Sequence, residues 1–263
     1  MLRTGVVSFL NAQPLWVDLR DDPQFEITAA PPAQLADMMA AGKLDLGLLP
    51  VFEALRLPNV EFLPDLGVAA DGVVESVGLF AEHQANQAKS LLIDGDSRTS
   101  AALVKLVLKA VGENPAILTG QIRPEDVPSC GHEAGMLIGD KCLKARALWP
   151  KLLFLDLASA WKELTQLPFV FAVWAARPGV FSGHVQGRLH QALMAGRERA
   201  TELAEAAREA TGWSTSALTR YLNQTIIHRL DDRCRNGLRE FARRCVAEGL
   251  LPQGCDARVG GRS

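Results

Sequence analysis

Between residues 25 and 49 the chain reads strand, helix, strand, and this succession limits the fold more than any other stretch. Residues 25–29 form an apolar strand pattern. Pro31 and Pro32 then introduce residues 33–41, which are rich in good helix formers. Gly42 takes the place of a helix C′ residue, and residues 44–49 are an apolar run that Pro50 ends. A helix of that length between two strands predicts a parallel pair joined by a right-handed crossover. The alternation continues, with strand patterns at residues 5–7, 73–80, 91–94, 136–140 and 152–155 and a helix over 101–111. Residues 169–175 are apolar throughout, as expected of a strand buried on both faces. Beyond Pro178 the period is helical, over 184–210, 214–229 and 232–248, and the Gly- and Arg-rich tail 256–263 is expected to fray.

The pattern predicts an α/β chain of two lobes, crossing between them near residues 75–83 and 174–178. Residues 1–82 and 176–263 would make the first lobe and residues 83–175 the second. A ligand would then sit in the interlobe cleft. A helix as long as 184–210 serves equally to cover one lobe or to form a homodimer surface.

Composition excludes several classes of partner. The formal net charge of −2 provides no field to attract nucleic acid or an anionic membrane, and one tyrosine with no basic stripe argues against a nucleic-acid surface. The five cysteines are widely spaced without zinc-type spacing, so they read as small hydrophobes in a reducing compartment. The N-terminus enters a strand pattern rather than a signal peptide, and no run has membrane-spanning length. These features predict a cytoplasmic location. No dinucleotide fingerprint, phosphate loop, zinc-protease motif or nucleophile elbow is present, so no cofactor and no metal is expected.

The chemistry concentrates in a few segments. The strand at residues 5–7 delivers Ser8-Phe9-Leu10-Asn11-Ala12-Gln13-Pro14-Leu15, with Pro14 opening a helix. Asn11 would lie beyond the strand end, where open α/β sheets bind small ligands, offering an acceptor and two donors. A turn or N-cap asparagine is the alternative. Ser97-Arg98-Thr99-Ser100 stands between a strand and a helix, where hydroxyls and free N–H groups favour an anion. The alternatives are a plain helix cap and, for Arg98, a surface carboxylate partner. Ser76 faces the cleft or bonds nearby backbone. Gly139 permits close backbone approach, and Asp140 caps the next helix or faces the ligand. Glu53 reads as part of a solvated face.

Taken in order, six segments resemble one family. They are residues 8–15, 44–50, 72–80, 97–100, 137–140 and 167–174, and they run through most of the chain. The family is the chorismate dehydratases of the futalosine route to menaquinone. The chain departs from the family pattern at Gln13, Val51 and Ala54, which bears on the first-lobe loop contacts. The resemblance implies a two-lobed fold like type II periplasmic binding proteins, with the active site in the cleft. It also implies loss of water from chorismate to give 3-(1-carboxyvinyloxy)benzoate. On this reading Asn11 and Ser76 contact the reacting ring, its leaving hydroxyl or the side-chain carboxylate. Ser97, Thr99 and Ser100 hold a carboxylate, Arg98 sets the local potential, and Ser8, Gly139 and Asp140 complete the binding site. No protein general base stands out, which leaves the substrate's own enolpyruvyl carboxylate to take the proton. Two other readings stay open: a solute-binding protein for a small organic anion, and the sister enzyme that makes 1,4-dihydroxy-6-naphthoate.

Overall fold

The computed structural model describes residues 1–83, 88–95 and 98–256. The first strands and helices are β1 (Leu2–Val7), β2 (Phe25–Ala30), α1 (Pro32–Ala40), β3 (Leu46–Pro50), α2 (Val51–Arg56) and β4 (Glu61–Ala70). The chain then leaves for a second sheet through β5 (Val77–Ala81), β6 (Ser90–Asp94), α3 (Arg98–Ala110), β7 (Ala116–Gly120), β8 (Ala134–Ile138), α4 (Gly139–Leu148), β9 (Leu153–Asp156) and α5 (Leu157–Thr165). It returns along β10 (Phe169–Ala176) and finishes with α6 (Gly183–Glu198), α7 (Ala200–Thr211), α8 (Thr215–Arg220), β11 (Ile227–Arg229) and α9 (Asp232–Ala247).

Two mixed sheets result. One has the order β11-β4-β10-β3-β1-β2, and the other β7-β6-β8-β5-β9. The expected crossover is present: β1 pairs in parallel with both β2 and β3. The apolar run is β10, inserted antiparallel between β3 and β4 and buried at every position but Phe171. It has no solvent face, which is why its sequence does not alternate.

The lobe boundaries fall earlier than residues 82/83 and 175/176. β5 belongs to the second sheet and β10 to the first, so the chain changes sheet across residues 71–76 and again between β9 and β10. The outgoing crossing is held by one carboxylate. Asp156 accepts N–H bonds from Val74 at 3.0 Å and Glu75 at 2.7 Å, and caps α5 through Ala158 and Ser159. Glu75 lies there at φ 65°, which ends the strand pattern before Val77 and turns Ser76 inward. At the return crossing, Trp161, Phe169 and Phe241 meet edge to face with ring centroids 5.1–6.1 Å apart, tying α5, β10 and α9 together.

Three local expectations are corrected. Pro14 lies inside a 3-10 segment, Leu10–Leu15, whose N-cap is Phe9, rather than at a helix start. Residues 184–210 form two helices that break at Arg199. Residues 214–229 divide into α8, a π turn at Tyr221–Thr225 and the strand β11. All five cysteines are free. No helix among the described residues is long and apolar enough to cross a membrane.

Candidate functional site

The carboxyl ends of β1, β3 and β8 and the starts of α1, α3 and α4 meet in a cleft between the sheets. Val7, Asn11, Pro32 and Pro50 line it from the first lobe, and Thr99, Ser100, Ile138 and Gly139 from the second. Its walls are apolar, formed by Phe9, Phe171, Val68 and Val77. Among the described residues, none of those lining the cleft is Lys, Arg, Asp or Glu. An anion here would meet neutral donors and the positive ends of helix dipoles rather than ion pairs.

Asn11 is held through its carbonyl by the C-terminal region. His228 donates from Nε2 to the Asn11 carbonyl at 2.7 Å, a bond that fixes its tautomer because a carbonyl only accepts. Burial lowers the His228 pKa to about 4, so the ring is neutral at pH 7. Nearby, the Tyr221 hydroxyl donates to Ser76 Oγ at 2.7 Å. Both Ser76 and Tyr221 are fully buried, one layer behind the cleft lining. The Ser76 carbonyl accepts the Gly139 N–H at 2.7 Å, joining the crossing segment to the start of α4.

Gly139 is required twice over. It sits at φ +57°, and a Cβ there would come within 2.6 Å of the Phe9 ring. The ring therefore packs directly on the α4 start, with Phe9 from one lobe and Gly139 from the other. Gly196 gives a similar close approach on the far side, where a Cβ would lie 2.1 Å from the Pro14 carbonyl. That contact seats α6 against the 3-10 segment carrying Asn11.

The lobes also clasp one another. Asp140 does not cap α4; its carboxylate accepts the Leu10 N–H from the opposite lobe at 3.0 Å. Thr99 Oγ1 accepts the Phe52 N–H at 3.1 Å, so a second-lobe hydroxyl caps α2 of the first lobe. Arg98 reaches across to Glu53 at 3.1 Å and Asp37 at 3.2 Å. This places the Arg98 guanidinium on protein carboxylates and outside the cleft lining. Glu53 is buried between Arg98 and Arg56, which corrects its reading as a solvated residue.

Of the residues expected at the site, Asn11, Thr99, Ser100 and Gly139 line the cleft, and Ser76 stands behind it. Ser8 is exposed and does not line the cleft; its carbonyl accepts from the Gln13 side chain. Ser97 lies outside the described residues. Tyr221, His228 and the Phe171 wall were absent from the expected set. That it is the chain's single tyrosine was the available signal for the first. Nothing local distinguishes His228 from the other histidines.

A family model described as menaquinone biosynthesis matches residues 2–247. The chain belongs to that family. It is also 31% identical over 255 residues to the chorismate dehydratase of Thermus thermophilus, spanning 90% of this chain and 93% of that one. Among solved structures, a protein from Archaeoglobus fulgidus superimposes with a TM-score of 0.78 at 16% identity, covering 95% of this chain and 98% of its own. The periplasmic aliphatic sulphonate binding protein of Escherichia coli does so with a TM-score of 0.67 at 16% identity, covering 98% and 90%. The expected bilobed, periplasmic-binding-protein-like α/β fold is therefore the fold of this menaquinone-biosynthesis family member. The expected cytoplasmic location is overturned by the same comparison. The fold is one that a periplasmic protein uses, so a cytoplasmic address no longer follows.

Proposed function

We propose that this family member removes water from chorismate, giving 3-(1-carboxyvinyloxy)benzoate. The observation that carries the proposal is the cleft itself, lined by apolar walls and by neutral donors and helix starts from both lobes. The relationship to a chorismate dehydratase over nearly its whole length supports the same substrate.

The reaction breaks the ring C3–H and C4–O bonds and forms a C3–C4 double bond, which makes the ring aromatic. The C3 proton becomes removable when charge spreads through the ring diene into the ring carboxylate. Donors that bind this carboxylate more tightly as charge builds lower the barrier. Thr99, Ser100 and the start of α3 hold a carboxylate, and Asn11 faces the ring and its leaving hydroxyl. Phe9 and Phe171 pack on the ring and exclude water. Among the described residues, none that lines the cleft carries a carboxylate. The enolpyruvyl carboxylate of the substrate, held close to C3, takes the proton in a positioned intramolecular step and passes it to the departing C4 oxygen, which leaves as water.

Incubating the purified protein with chorismate and following products by mass spectrometry tests this reading. The expected product is lighter by one water and keeps the enolpyruvyl ether. Tight binding without turnover would replace the proposal with a solute-binding role.

A further inference from the structure

We infer that His228 is a positioning residue for this reaction, its ring N–H fixing the Asn11 peptide and, through it, the direction of the Asn11 side chain. The inference rests on the dehydratase reading and adds to it a residue from outside the cleft lining.

The segment that carries Asn11 creates the need for such a donor. Asn11 stands in the 3-10 segment Leu10–Leu15, where a carbonyl accepts from the N–H three residues on. The Phe9 carbonyl accepts from Ala12 at 3.0 Å in this way, and the Gln13 carbonyl from Trp16 at 3.0 Å. For Asn11 the third residue on is Pro14, which has no N–H to give. His228 supplies a donor in its place, with Nε2 at 2.7 Å from the Asn11 carbonyl oxygen.

The donor is itself firmly seated. His228 is 3% exposed and lies in β11, which pairs antiparallel with β4 through Ile227 to Ala69 and Arg229 to Leu66. Val68 of β4 lines the cleft, so the strand that carries the donor is registered on a cleft wall. The bonded carbonyl belongs to the peptide between Asn11 and Ala12, and both residues line the cleft. Turning that peptide would swing the Asn11 side chain away from the ring and its leaving hydroxyl. The His228 ring lies outside the lining, so its contribution is orientation rather than proton transfer. Nε2 keeps its proton in the charged imidazole as well, so titration leaves the bond intact.

His228→Gln places an amide nitrogen close to the position of Nε2 and keeps the donor, whereas His228→Leu removes it. His228→Leu is expected to lower kcat for chorismate about 10- to 100-fold, the scale of a small misplacement at a reacting centre. KM should stay within roughly threefold, because the carboxylate end of the cleft is untouched. His228→Gln should recover kcat to within about threefold of the wild type, a rescue that follows the donor. Should the leucine variant fail to fold, His228→Asn serves in its place, because its shorter amide reaches only the Nδ1 position. If the variant without the donor keeps kcat within twofold while only its melting temperature falls, the inference fails and the dehydratase reading stands. A glutamine variant as slow as that one would defeat the inference equally. If the wild-type protein shows no dehydration under the same conditions, both fall.

Discussion

The Asp140 carboxylate crosses the cleft to accept the Leu10 N–H, at 3.0 Å to one oxygen and 3.3 Å to the other. Leu10 immediately precedes Asn11, so this bond joins the start of α4 to the segment whose Asn11 lines the cleft. Burial raises the Asp140 pKa to about 6, with the Leu10 bond working the other way. In an unfolded chain the same group titrates near pH 4, so the folded protein holds the extra proton between about pH 6 and 4. Its charge burdens the fold above pH 6, and stability from this group rises as pH falls, by roughly 3 kcal/mol across the window. Asp140→Asn removes the titration. Urea midpoints of the two proteins should therefore draw together in the wild type's favour from pH 6.5 to 4. A constant difference over that range would show that the carboxylate is not buried as described.

His228 works in the opposite direction. Its folded pKa of about 4 lies below the value near 6.5 of an exposed histidine. The unfolded chain binds the proton first, so this group costs the fold roughly 3 kcal/mol as pH falls from 6.5 to 4. His228→Gln offers an amide donor to the Asn11 carbonyl and does not titrate. The variant should lose less stability than the wild type over that interval. A steeper acid loss in the variant would contradict the assignment of a neutral, buried ring.

Gly139→Ala meets two obstacles, the positive φ and the Phe9 ring. Its expected cost is about 1–3 kcal/mol in folding stability, together with loss of turnover because the ring sits at the cleft wall. Adding Phe9→Ala should recover only the share due to the contact, since the backbone strain remains. Full recovery in the double variant would show that the backbone tolerates a side chain there.

The two polar ends of the cleft should separate kinetically. Asn11→Ala is expected to reduce kcat by about 10²- to 10³-fold, the range for removing a donor aimed at developing charge. Thr99→Val leaves the Phe52 N–H without its acceptor and weakens the carboxylate end, so KM should rise. Its expected stability cost is about 1–3 kcal/mol. Steady-state kinetics with chorismate distinguishes these patterns, and the reverse split would reverse the two roles.

Much of this architecture was legible locally. The Pro-led helix and the strand before Pro50 became α1 and β3 with boundaries shifted by one or two residues, and the fully apolar run became β10. The strand β4 is not legible locally because Pro64, Asp65 and Gly67 interrupt its alternation. They coincide with the register shift where Trp174 pairs with Leu63 and Val173 with Gly67. β7 is not legible either, being a short edge strand whose residues are mostly exposed. Asn11, Thr99, Ser100 and Gly139 were legible because each follows a strand that reads clearly as a strand. The burial of Ser76 was not, because it depends on Asp156 gripping Val74 and Glu75 from about eighty residues away. Tyr221 and His228 were hidden for a similar reason. Their significance comes from a π turn and a short strand inside what reads locally as one continuous helix.

The central claim is that the C4 hydroxyl of chorismate leaves as water. Chorismate labelled with oxygen-18 at that hydroxyl, incubated with the purified protein and analysed by mass spectrometry, tests it most directly. The account predicts an aromatic product that keeps the enolpyruvyl group and has lost the label, with the label recovered in solvent water. An aromatic product that retains the label and has lost pyruvate, or unchanged labelled chorismate, would contradict it.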